Sequence, residues 1–159
     1  VLTAFGTLKI ILEHIDFALP MGEYAITGYG RVAKETASLL SSLSCNVTVF
    51  ARNPSQREDA MIKGCRAYPI TSLSSLAPSF DIIINTVPSE IITEETAKNI
   101  NEKSKVIELA SAPYGMDFEV MRKNGVDVIK AFGLPGKYTP KTAGEIIGKK
   151  IKEHLQKEE

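Results

Sequence analysis

The sequence predicts an α/β fold of Rossmann type, a doubly wound parallel sheet with helices on both faces, on three observations. Strand-like and helix-like segments alternate from one end of the chain to the other. The run Asp81-Ile82-Ile83-Ile84-Asn85 has a continuously apolar centre of three isoleucines rather than an alternating one, as in a strand covered on both faces. The first strand-like segment ends in Gly28-Tyr29-Gly30, and helical spacing resumes directly after it. With 159 residues, the chain is expected to form one domain over 1–159, large enough to bury a core without disulfide staples.

The elements follow in order. Ala4, Phe5, Leu8, Ile11, Leu12 and Ile15 fall on one stripe at spacings of three and four, which predicts a helix over 3–15. Pro20 and Gly22 break the chain before the short strand Tyr24-Ala25-Ile26-Thr27. Val32, Thr36, Leu39, Leu40 and Leu43 give the next helix, and Asn46 to Phe50 the next strand. Ser55 to Lys63 is helix-compatible, with Gly64 as its cap. Arg66-Ala67-Tyr68 is a weak strand, Ser72 to Ala77 a short helix, and Asp81 to Asn85 the buried strand. Lys105 to Leu109 and Val126 to Ile129 supply two more strands, with a helix over 118–124 between them. Gly133 to Gly144 reads as a glycine- and proline-rich loop. Thr139 would be the N-cap and Pro140 the first residue of a last helix running through Ile146, Ile147, Ile151 and Leu155. The mixed charges from Lys149 to Glu159 read as the solvated end of that helix.

Composition narrows the function. Nineteen Lys and Arg balance nineteen Asp and Glu, so no net charge draws the chain to phosphate backbones or anionic membranes, and no nucleic-acid or membrane partner is expected. The two cysteines, Cys45 and Cys65, form no CxxC pair and stand near no histidine, so neither a metal site nor a redox motif is expected of them. They read as plain thiols of a reducing, cytoplasmic compartment. An opening at Val1, without Met and inside a helical stripe, is what a fragment with something missing upstream would show.

Gly28-Tyr29-Gly30-Arg31-Val32-Ala33 is the GxGxxA form of the dinucleotide fingerprint, set between a strand and a helix as the motif requires. Gly28 would permit the tight turn, Gly30 would let a pyrophosphate approach the backbone, and Ala33 would keep the helix close to the sheet. The helix N-terminus, from Arg31 and Val32 onward, would then offer free N–H groups and its dipole to the phosphates. An NAD-preferring domain places a carboxylate about 20 residues beyond the first glycine to hold the ribose 2′-OH. Here none lies between Glu35 and Glu58; instead Arg52, Asn53 and Ser55 follow the second strand, suited to a 2′-phosphate. NADP is therefore the expected cofactor, ahead of NAD. Ligands of such sheets lie at the carboxyl ends of the strands, so Thr86-Val87-Pro88 after strand four and Ala110-Ser111 after strand five are expected on the nicotinamide side.

Acid and base groups are harder to find. His14 and His154 sit on the first and last helices, far in sequence from the glycine turn, and no catalytic triad, Walker lysine or paired carboxylates are present. Lys141, just inside the last helix, is the candidate for catalytic or anion-holding work.

The segments GYGRVA, NTVPS, ELASAPYGMDF and, above all, GLPGKYTPKTAG resemble the C-terminal, NAD(P)-binding half of the A subunit of dipicolinate synthases, over essentially the whole chain. The resemblance implies a nicotinamide-dependent oxidoreductase that, with a flavoprotein-like second subunit, converts dihydrodipicolinate to dipicolinate in sporulation. Its substrate would be a small dicarboxylate, and a homo-oligomer is possible. It assigns Gly28, Gly30 and Arg31 to the glycine loop, and Gly133, Pro135, Gly136, Pro140, Lys141 and Gly144 to a late motif. Phe5 stands where a Glu is expected, Tyr114 where a Gly is, and Lys137-Tyr138-Thr139 where smaller apolar residues are. The resemblance also implies an N-terminal domain that this chain lacks, so on this reading the chain alone would be inactive. Two alternatives share the fold: a cofactor domain of a shikimate-type or 2-hydroxyacid dehydrogenase, and a module that senses NADP without turnover.

Overall fold

The computed structural model describes residues 1–155. Six strands form one parallel sheet: β1 (Glu23–Thr27), β2 (Asn46–Ala51), β3 (Arg66–Pro69), β4 (Ile82–Asn85), β5 (Lys105–Glu108) and β6 (Asp127–Lys130). Their order is β3-β2-β1-β4-β5-β6, so the winding reverses between β1 and β4, and a crevice opens at the carboxyl ends of those two strands. This is the doubly wound sheet that the alternation of segments predicts.

Among the described residues, eight α-helices surround it: α1 (Leu2–His14), α2 (Arg31–Ser42), α3 (Pro54–Ile62), α4 (Leu73–Leu76), α5 (Glu94–Asn99), α6 (Phe118–Lys123), α7 (Leu134–Tyr138) and α8 (Pro140–Leu155). Central strands send successive side chains to opposite faces, and both faces are apolar. Ile26, Val49, Ile84 and Ile107 point into one core layer with Ile11 of α1, Ala33 and Leu40 of α2 and Leu134 of α7. Their neighbours Ala25, Phe50, Ile83 and Val106 point into the other, with Leu73 of α4, Ala97 of α5 and Met121 of α6. In the first layer α1 and α7 meet closely: a Cβ on Gly6 would lie 2.8 Å from the Cβ of Leu134.

The structure departs from the sequence reading at identifiable points. The 133–144 stretch is not a loop. Gly133 takes a left-handed φ of 64°, which reverses the chain, and α7 and then α8 follow directly. Thr139 does not cap α8 with its hydroxyl, which donates instead to the Pro135 carbonyl at 3.0 Å, while its own carbonyl accepts from Ala143 N. Helix α5 went unread because it spans only six residues; its signal is Thr93, whose Oγ1 accepts from Thr96 N, followed by Glu94 and Glu95 in the first turn. The reading of the charged tail as a solvated helix end falls in part on residues 156–159, outside the described residues.

Candidate functional site

β1 ends at Thr27, and the chain turns at once through Gly28, whose φ of 81° is open to glycine but strained for other residues. Gly28 N donates to the Phe50 carbonyl at 2.8 Å, which ties the turn to the end of β2. A Cβ at Gly28 would lie 2.7 Å from Val87 Cγ2 and 2.9 Å from Thr86 Oγ1, so the turn and the segment after β4 are in close contact. Gly30 is the N-cap of α2, and no side chain caps that helix. A Cβ on Gly30 would meet nothing within 4 Å. The first-turn amides of a twelve-residue helix therefore face open space, the arrangement in which backbone N–H groups and the helix dipole receive an anion.

That space is a cleft of about 410 Å³ walled by the ends of β1, β2 and β4. It gathers Gly28, Tyr29, Gly30, Arg31, Val32, Arg52, Thr86, Val87 and Pro88 from separate stretches of sequence. Tyr29 is only 2% exposed and packs in the core. Burial pushes its phenol up to about 12. Thr86 donates its hydroxyl to the Thr27 carbonyl at 2.7 Å and so holds the rim of β4 to that of β1. The sequence reading missed Phe50, Ala51, Gln56, Ile70 and Ile91, which complete the wall.

Five expected site residues lie elsewhere. Asn53 and Ser55 do not line the cleft: the Asn53 carboxamide oxygen accepts from Ser55 N and from Ser55 Oγ, each at 2.9 Å, and caps α3. The residue that braces this turn is Arg57, absent from the sequence reading. Its Nη1 donates to the carbonyls of Ala51 and Arg52, each at 2.8 Å. The signal available was its position in α3 one turn past Pro54, from which a long side chain reaches back over the strand end. Ala110 is buried, with its N–H donating to Glu108 Oε1 at 2.8 Å. Ser111 lines a separate hollow of about 340 Å³ with Tyr114 and Phe132, whose rings stack with centroids 5.2 Å apart. Lys141 is exposed in the first turn of α8 and lines neither hollow.

A polar row lies under the carboxyl ends of the strands. Thr27, Asn85 and Glu108 occupy adjacent register positions on β1, β4 and β5, each 0% exposed. Thr27 Oγ1 donates to Asn85 Oδ1 at 2.6 Å, and Asn85 Nδ2 donates to Glu108 Oε1 at 2.7 Å. Burial holds the Glu108 carboxyl above its ordinary value, opposed by the N–H groups of Gly115, Asn85 and Ala110. His14, by contrast, lines a hollow with Asp81 and Lys105 at the amino ends of β4 and β5, on the opposite edge of the sheet from the cleft. No cluster of His, Cys, Asp and Glu suited to a metal ion occurs among the described residues, and no helix among them is long and apolar enough to cross a membrane.

Comparison with known proteins agrees with this geometry. Residues 18–108 match the family described as "D-isomer specific 2-hydroxyacid dehydrogenase, NAD binding domain". The chain is 32% identical over 160 residues to the A subunit of dipicolinate synthase from Bacillus subtilis (strain 168), an alignment that takes in 99% of this chain and 54% of that protein. Crystal structures of the same dipicolinate synthase component from Bacillus halodurans and from Bacillus subtilis superpose with TM-scores of 0.94 and 0.93, at 31% and 32% identity. They cover 98% and 99% of this chain, and 53% and 54% of theirs. The chain thus spans about half the length of these relatives. A transhydrogenase from Sinorhizobium meliloti shares the fold, with a TM-score of 0.70 at 18% identity over 84% of this chain and 46% of that one.

Proposed function

The chain belongs to the family of NAD-binding domains of D-isomer specific 2-hydroxyacid dehydrogenases, and from that premise we propose that its cleft binds a nicotinamide dinucleotide, NADP(H) in preference to NAD(H). The observation that carries the reading is the open space over Gly30, into which the uncapped N-terminus of α2 points. Gly28, Gly30, Arg31 and Val32 would hold the pyrophosphate. Arg52, exposed just past the end of β2, would meet the 2′-phosphate, with Arg57 holding the turn that carries it. Thr86, Val87 and Pro88 would wall the path to the nicotinamide. A bound nicotinamide supplies the capacity to accept or donate a hydride.

Similarity to the two Bacillus proteins supports assigning the domain to an oxidoreductase of dipicolinate-synthase type. Dihydrodipicolinate would lose a hydride to the nicotinamide and a proton to a base, giving dipicolinate. The described residues place no proton-transfer group in the cleft, so the base would come from the remaining half of such a protein or from its flavoprotein-like second subunit. Oxidation of a hydroxyacid is less well supported, since His14 stands at the far edge of the sheet.

Titration with NADPH and NADH, followed by nicotinamide fluorescence, tests the cofactor reading. Saturable binding with NADPH tighter is expected, and binding of neither dinucleotide would overturn it. Formation of dipicolinate with NADP, in the presence of the second subunit, tests the substrate.

A further inference from the structure

Glu108 is a fully buried carboxylate, and no Lys, Arg or His forms a salt bridge with it among the described residues. An unpaired buried acid is costly unless hydrogen bonds satisfy it, and a well-packed apolar side chain would fill the same volume without that cost. Apart from Thr27, Thr48 and Asn85, the buried strand positions on its face of the sheet are apolar, Phe50, Ile83 and Val106 among them. What an apolar residue would not do is hold N–H donors, and Glu108 holds three.

Those donors lead to both ends of one segment. On one side Asn85 Nδ2 donates to Glu108 Oε1, and the same carboxamide accepts from Val87 N at 3.1 Å and donates to the Val87 carbonyl at 3.0 Å. On the other side Gly115 N donates to Glu108 Oε2 at 3.0 Å, and the Gly115 carbonyl accepts from Ile91 N at 3.0 Å and Ile92 N at 2.9 Å. Val87 and Ile91 both wall the 410 Å³ cleft. The two routes also touch: a Cβ on Gly115 would lie 2.1 Å from Asn85 Nδ2, so only glycine leaves the carboxamide where it is. Glu108 itself lies beneath the cleft and does not line it.

We propose that Glu108 is a positioning residue for the nicotinamide half of the cleft, fixing the 86–91 segment at both ends through Asn85 and Gly115. This role rests on the dinucleotide reading of the cleft. The adenosine half of the ligand meets the turns after β1 and β2, which Glu108 reaches only at a remove, through Asn85 and Thr27, so the nicotinamide half should respond the more strongly when the carboxylate is changed.

The test titrates wild type, E108Q and G115A with NADPH and with 2′,5′-ADP, which carries only the adenosine half. E108Q replaces one accepting oxygen by an amide NH2 that faces an N–H donor. It is expected to weaken NADPH by about tenfold or more, as for a lost hydrogen bond to a charged group, and to leave 2′,5′-ADP within about twofold. The emission of bound NADPH should also move toward that of the free dinucleotide. G115A keeps the carboxylate but displaces Asn85, so the same split is expected, and it carries the test if E108Q does not fold. Hydrogen exchange at the amides of Val87, Ile91 and Ile92 should quicken in either folded variant. Unchanged NADPH binding, equal losses for both probes, or unchanged exchange would overturn the positioning role. Failure of wild type to bind either probe would instead overturn the dinucleotide reading on which it rests.

Discussion

Gly28 and Gly30, two residues apart in one turn, meet opposite surroundings: a Cβ on the first would lie 2.7 Å from Val87 Cγ2, and a Cβ on the second would meet nothing within 4 Å. The first glycine answers to the fold and the second to whatever enters the cleft. Gly28→Ala, with a φ of 81° and two close neighbours, is expected to lower stability by about 1–3 kcal/mol. Gly30→Val should leave the unfolding midpoint near that of wild type and abolish NADPH binding, because the branched side chain takes the space of the pyrophosphate. Urea denaturation paired with calorimetric titration checks both, and a Gly30→Val variant of wild-type affinity would make the turn purely structural.

Arg52 and Arg57 divide the work at the end of β2, one exposed at the surface and one donating to the carbonyls on either side of the turn. Arg52→Ala is expected to weaken NADPH by about tenfold or more and NADH hardly at all, since only NADPH offers a phosphate to the guanidinium. Arg57→Ala should weaken NADPH more than NADH as the turn carrying Arg52 loosens. Equal losses for both dinucleotides in the Arg52 variant would remove it from the site.

Ile84 is 0% exposed in the middle of the sheet, beside Ile26 and Ile107 at the same register. Ile84→Ala leaves a cavity that rigid neighbouring strands are poorly placed to fill, and about 2–5 kcal/mol of stability should be lost. A denaturation midpoint unchanged from wild type would contradict this packing.

Tyr24 and Tyr29 are buried, and burial raises both phenols above the ordinary 10.0, Tyr29 to about 12 and Tyr24 further. The folded state thus keeps protons that the unfolded chain gives up. Their contribution to stability is intact below pH 10 and is lost as pH rises from there through the folded values. Absorbance at 295 nm should show two of the five tyrosines ionising only as the fold is lost. All five titrating near pH 10 with the fold intact would refute the burial.

Much of this was legible in the residues because it depends on neighbours in sequence. The 3–15 stripe, the five-residue run ending at Asn85 and the Gly28–Ala33 hexamer carry their own periodicity or turn chemistry, and α1, β4 and the start of α2 formed where that chemistry put them. Short elements were less legible: α5 and α7 span six and five residues, too few for a period to show, and are stabilised by packing and a single cap or reversal.

By itself, then, the sequence determined the parallel sheet, the glycine turn and the lack of a carboxylate where a ribose hydroxyl would want one. Only the tertiary structure decided which side chains meet. Arg57 reaches back to the turn after β2, while Asn53 and Ser55, expected to meet a 2′-phosphate, hydrogen-bond each other at the start of α3. Thr27, Asn85 and Glu108 lie 58 and 23 residues apart in sequence and become neighbours because three parallel strands are in register. Strand order and register are set by how both faces of the sheet are buried, a property of the whole core that no local window of sequence contains.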